Sequence, residues 1–164
     1  MKNSLFLALS VFFFSCNKPI EKNQVLQNRI DSLKIKLSKT YKPGFGEFMT
    51  VIQIHHAKLW FAGQNKNWKL ADFEINEIKE NLEGIQQYCK DRPETKSLGI
   101  IDPAMNSISN SIQQKNQKAF QKDYINLTNS CNTCHQETKH EYNVIKIPET
   151  PPFSNQDFRL NERE

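Results

Sequence analysis

The sequence predicts an all-α protein: an antiparallel four-helix bundle over residues 44–141, an amphipathic tether helix before it and an extended tail, 142–164, after it. Three observations carry this class. The seven prolines, at 19, 43, 93, 103, 148, 151 and 152, leave 44–92 and 104–147 all but uninterrupted, as expected of helices that end near prolines. Within those stretches apolar residues recur at steps of three and four, the period of a helix with one buried face. Only five glycines are present, too few for a collagen-like or many-turned β design. At 164 residues the chain suits one core rather than two. Its net charge of +4 is small and unclustered, which argues against nucleic acid as a partner.

Residues 1–15 read as an export signal. Lys2 supplies a basic start and Leu5 to Phe14 a mostly apolar stretch of ten, too short for the roughly 20 residues a membrane-spanning helix needs. Phe13-Phe14-Ser15-Cys16 resembles a bacterial lipoprotein signal, in which Cys16 becomes the lipidated first residue of the mature chain. That resemblance implies a lipid-anchored protein, periplasmic or outer-membrane-associated. An ordinary cleaved signal with an incidental cysteine is the alternative.

Residues 16–43 form the tether. Leu26, Ile30, Leu33 and Leu37 repeat at 4-3-4 spacing among polar residues, which predicts an amphipathic helix over 22–40. A spacer from the membrane anchor is the simplest role, with a coiled-coil stalk or partner helix as the alternative. Tyr41-Lys42-Pro43-Gly44 then breaks the chain.

The first bundle helix, 45–62, presents Phe45, Met49, Ile52, His56, Leu59 and Trp60 on one face, with His55 pointing elsewhere. Gly63 to Asn67 is a turn with capping residues. The second helix is the clearest, with Trp68, Ala71, Ile75, Ile78, Leu82, Ile85 and Cys89 in alternating steps of three and four. Cys89 falls in that phase and reads as a small buried apolar residue. Glu74, Glu77, Glu80 and Glu83 read as the solvated face opposite the seam, with a docking site for a basic partner as the alternative. Ile101, Met105, Ile108 and Ile112 mark a third helix, and Phe120, Tyr124, Leu127, Cys131 and Cys134/His135 a fourth. From Tyr142 the periodicity stops, and the tail is expected to wrap the outside, with room for one local strand.

Four cysteines in an exported chain would ordinarily invite two disulfides. Cys131-Asn132-Thr133-Cys134-His135 points elsewhere. On a helix, positions i and i+3 share a face, so both thiols can reach the two vinyl groups along one haem edge and form thioethers. His135 lies four residues after Cys131, on the same face, where its imidazole can coordinate iron. The CxxCH segment is therefore the attachment signal of a single haem c, held by Cys131 and Cys134 with His135 as proximal iron ligand. A thioredoxin-like CxxC would call for a βα pattern that is missing here. Zinc would need further ligands, and neither Cys89 nor His140 completes a set at metal spacing.

A CxxCH in the last helix of an exported four-helix bundle resembles the cytochrome c-prime class. That resemblance implies a basic residue four positions after the haem histidine, and Lys139 occupies the place, where it would face a propionate. His56–Gly63, Asn67–Ala71 and Pro152–Phe158 are similar to segments of a group of bacterial haem c proteins. The distal side of the iron separates the functions. Counted from a common end of the bundle, Met49 lies level with His135, while His56 shares its face about 10 Å further along. Ligation by Met49, or alternatively His56, gives six-coordinate iron suited to single-electron transfer with redox partner proteins in the periplasm or at the membrane. An empty apolar distal side gives a binder of nitric oxide or carbon monoxide. No feature points to enzymatic turnover, and none sets the oligomeric state.

Overall fold

A computed structural model describes residues 18–40 and 42–160. The expected signal peptide and the Cys16 lipidation site lie outside the described residues. The chain divides into two units, Met1–Lys42 and Pro43–Glu164.

The first unit holds α1, Lys18–Ser38, which starts ahead of the residue expected from periodicity. Leu26, Ile30, Leu33 and Leu37 all remain exposed on it, as do Val25 and Ile35. Within α1, Gln27 Nε2 donates to Asp31 Oδ1 at 3.1 Å, a polar pair one turn apart. No described helix is long and apolar enough to cross a membrane.

The second unit contains α2 (Phe45–Gln64), α3 (Trp68–Tyr88), a 3₁₀ segment (Pro93–Ile101), α4 (Asp102–Gln113) and α5 (Gln117–Glu137). Among the described residues there is no strand, so the room left for one in the tail is not used. The predicted seams are the observed core: Ile52 and Leu59 from α2, Ile75, Ile78 and Ile85 from α3, Ile108 and Ile112 from α4, Phe120, Tyr124 and Leu127 from α5. Where Pro93, Gly99 and Pro103 suggest only breaks, the chain winds in 3₁₀ turns that bury Leu98 and Ile101.

Two close approaches set how near the helices come. A Cβ on Gly63 would lie 2.1 Å from the Phe120 ring, and one on Gly84 would lie 2.6 Å from the Phe48 ring. Hydrogen therefore has to occupy both positions if α5 and α2 are to seat their aromatic rings.

Three helices end alike, each with a lysine where glycine is usual. Lys66, Lys115 and Lys139 take left-handed φ values of 57°, 53° and 62°. At each, the next residue's N–H reaches back to a carbonyl five residues earlier: Asn67 to Ala62 at 2.9 Å, Asn116 to Ser111 at 3.0 Å and His140 to His135 at 2.7 Å. This pairing satisfies carbonyls that the helix end would leave unmatched. After the first two ends an asparagine caps the next helix at once, Asn67 accepting from Leu70 N and Asn116 from Ala119 N.

Two expectations change. Glu74 is not on a solvated face; it is fully buried, with Oε2 2.6 Å from His55 Nδ1. Steps of three residues drift by about 60° per step on a helix, so residues 74 to 83 span about half a turn of the surface. Glu80 and Glu83 are exposed as expected, while Glu74 lies one turn from both Ala71 and Ile78, on the seam. The tail, too, does more than wrap the outside. Ile147 packs against the core, Phe158 is buried with its ring 5.6 Å from that of Phe61, and Asn67 Nδ2 donates to the Phe158 carbonyl at 3.3 Å.

Candidate functional site

A groove of about 830 Å³, part of it open to solvent, brings together the residues singled out in the sequence. Cys131, Cys134 and His135 line it from α5, and Met49 and His56 line it from α2. Leu82, Leu98 and Ile101 supply apolar wall, and Asn143 and Ile145 close one side from the tail.

Cys131 and Cys134 are both free thiols and half-buried. Burial pushes the Cys131 thiol up to about 12, with neighbouring Cys134 adding to the shift. Cys134 is raised as well, by burial first and then by the Glu137 carboxylate. The pair sits in the last two turns of α5, the negative end of its dipole, whereas a redox-active CxxC uses a helix N-terminus to stabilise its thiolate. Both features run against a thiol–disulfide centre. Among the described residues no group of three or more His, Cys, Asp or Glu is arranged to hold a metal ion by itself. Cys89 is buried at the end of α3, with Sγ 3.9 Å from the Pro43 carbonyl, and does not line the groove.

His135 has its Nδ1 2.6 Å from the Asn143 carbonyl. A carbonyl only accepts, so the ring proton resides on Nδ1 and the lone pair on Nε2. Histidines that ligate metals characteristically commit their other nitrogen in this way, which fixes the tautomer and raises the basicity of the ligating atom. Two thiols one turn apart, an imidazole with its second nitrogen already committed, and a mostly apolar groove beside them form a donor set that fits haem c.

His56 is in a different position. It is 4% exposed, with Nδ1 3.0 Å from the Tyr124 hydroxyl and Nε2 2.9 Å from the Thr128 hydroxyl. The hydroxyls reach further, Tyr124 to the His56 carbonyl at 2.8 Å and Thr128 to the Tyr124 carbonyl at 2.9 Å. These four contacts need four protons, and a neutral ring with two hydroxyls supplies three. Protonation would complete the set, but burial is the larger effect and lowers His56 to about 4. The ring is neutral near pH 7 and both its nitrogens are engaged. The Trp60 ring closes over Tyr124 at 4.8 Å.

Met49 is half-buried on the α2 wall. Lys139 follows the end of α5 in its left-handed turn, is exposed and does not line the groove. His140 has Nδ1 2.7 Å from the Thr138 carbonyl, within the same turn. His55 does point away from His56, toward α3 and Glu74.

Sequence reasoning missed Tyr124 and Thr128 as partners of His56, the pairing of Asn132 with Ile145, and the Asn143 carbonyl as partner of His135. The first two carried a signal: polar atoms one turn apart on the α5 seam, opposite a seam histidine that needed partners once buried. The last three carried none, because a tail without periodicity gives no register against a helix. No protein-family model, curated protein or solved structure matches the chain.

Proposed function

We propose that this chain is an exported, lipid-anchored monohaem c-type cytochrome of cytochrome c-prime-like architecture that carries single electrons. The observation that carries the reading is the convergence of the CxxCH thiols and a pre-oriented His135 on one apolar-walled groove. Bound haem c would supply an iron that exchanges one electron.

The antiparallel bundle belongs to this reading and is supported by the contact pairs. On α2 and α3, Phe48 meets Gly84 and Tyr88 while His55 meets Glu74, so numbers rise on one helix as they fall on the other. On α2 and α5, His56 meets Thr128 while Gly63 meets Phe120.

In this arrangement Cys131 and Cys134 would hold the group through thioethers, and His135 would ligate its iron through Nε2. Met49, on the α2 wall, would be the second iron ligand, since a thioether needs no proton loss and would raise the potential. His56 is withdrawn from that role because both its nitrogens are engaged; with Tyr124 and Thr128 it stiffens the wall. Cys16 would carry the lipid, and redox proteins in the periplasm or at the membrane would be the partners. A gas-binding alternative has one observation in its favour: with His56 engaged, Met49 is the remaining expected iron ligand on the α2 wall of a mostly apolar groove.

The deciding measurement is a reduced-state spectrum of the purified full chain. Sharp low-spin α and β bands are expected, with haem resisting denaturing gels in the parent and absent when Cys131 and Cys134 are both replaced by Ala. Met49→Ala should turn the iron high-spin. A high-spin parent that binds carbon monoxide avidly would sink the electron carrier in favour of the gas binder.

A further inference from the structure

We infer that Asn132, the first variable residue of the CxxCH segment, is the positioning residue for His135 and acts through the tail; the inference rests on the haem reading of the site. Asn132 and His135 are three residues apart on α5 and so share a face. The Asn132 amide pairs with one tail residue in both directions: Nδ2 donates to the Ile145 carbonyl at 2.8 Å, and the Ile145 N–H donates to Oδ1 at 2.8 Å. This is the exchange a neighbouring strand would make with that residue, supplied here by one side chain. Two residues upstream, the same tail segment presents the Asn143 carbonyl to His135 Nδ1 at 2.6 Å.

Among the described residues the segment has few other ties at this level: Tyr142 and Val144 are exposed, Ile145 is half-buried on the groove wall, and Ile147 packs against the core downstream. Upstream, the left-handed Lys139 and the Asn143 N–H to His140 carbonyl bond at 2.9 Å turn the chain back but do not set its height along α5. The two bonds to Asn132 set that height. Because the acceptor for His135 is a backbone carbonyl, the side chain at 143 is immaterial and the placement of the segment is decisive. Asn132 therefore selects the tautomer of His135 and sets the basicity of its Nε2 without touching the ring.

The test uses the full chain in two states. Without haem, at about pH 8 where a free imidazole is neutral, ring-nitrogen NMR reads the His135 tautomer and amide exchange reads Ile145. With haem, the one-electron potential reads the ligand's basicity. In the parent, His135 should be a single Nδ1–H tautomer. Asn132→Ala should mix the tautomers, speed Ile145 exchange about tenfold and raise the potential. Loss of such a supporting bond costs roughly tenfold in metal affinity; borne by the oxidised state, that is about 59 mV for one electron. Val144→Ala, at an exposed tail residue outside the groove lining, should change none of the three. An unaltered tautomer in Asn132→Ala, or an equal response in Val144→Ala, overturns the assignment. Failure of the parent to hold haem, with the tautomer results as expected, overturns the haem reading and leaves the positioning of His135 by Asn132 supported.

Discussion

Two histidines face the same groove from opposite walls, and their surroundings assign them opposite duties. His135, half-buried at the end of α5, commits one nitrogen to a backbone carbonyl and keeps the other. His56, in the middle of α2, commits both to hydroxyls of α5 and loses its proton to burial. A buried imidazole must be satisfied on every polar atom or it destabilises the fold; an imidazole at a helix end can leave a lone pair to water until a metal takes it. Surroundings, rather than residue type, separate the ring bonded at one nitrogen from the ring bonded at both.

Exchanging the two residues' fates is the sharpest way to test this contrast. His135→Ala should abolish the low-spin haem spectrum while changing chain stability by less than about 1 kcal/mol, as for most partly exposed sites. His56→Ala should leave haem covalently attached but lower stability by about 3 kcal/mol, through a cavity and the loss of the ring's bonds to the Tyr124 and Thr128 hydroxyls. Denaturant midpoints and haem-stained gels on the same two variants read both effects. Loss of low-spin haem in His56→Ala at unchanged stability would reverse the assignment.

The contrast also has a pH signature. Because burial lowers His56 from its ordinary value to about 4, the unfolded chain binds a proton there between about pH 6.5 and 4 that the folded chain refuses. Stability is then greatest above about 6.5 and falls as the pH drops toward 4, by about 3 kcal/mol from this group. In His56→Phe that part of the acid sensitivity should disappear, leaving only the carboxylates' share. If parent and variant lose stability in parallel from pH 7 to 4, the ring is protonated in the fold and its neutrality is wrong.

The same contrast marks what the sequence could reveal. The periodicity of Ala71, Ile75, Ile78, Leu82 and Ile85 was enough to place a seam, because burial on a helix repeats with its turn. Cys131, Cys134 and His135 stand out by their local spacing, and the structure places them on one groove with Met49 and His56. The states of Met49 and His56 were not legible. Whether a seam histidine is a ligand or a satisfied core residue depends on which side chains another helix presents, and Tyr124 and Thr128 are 68 and 72 residues away in the chain. Glu74 failed for a geometric reason, since three-residue steps do not stay on one face. The Asn132–Ile145 bonds depend on a register between a helix and an aperiodic tail, and no local pattern encodes that.

The smallest effect concerns the end of α5, where two roles compete for Lys139. As the residue that turns the chain, it bears the cost of a left-handed backbone that glycine adopts freely, in the same way as Lys66 and Lys115. That cost of roughly 1 kcal/mol is partly offset by glycine's greater freedom in the unfolded chain. Lys139→Gly, Lys66→Gly and Lys115→Gly should each therefore raise stability by only about 0.5 kcal/mol. As a propionate contact of the kind implied by the cytochrome c-prime resemblance, Lys139 would differ from the other two. Its exposure and its absence from the groove wall favour the turning role, so the potential of the haem-loaded Lys139→Gly protein should match the parent's. A potential shift in that variant alone, with Lys66→Gly and Lys115→Gly unchanged, would restore the propionate role and show that the turn exists to present this lysine.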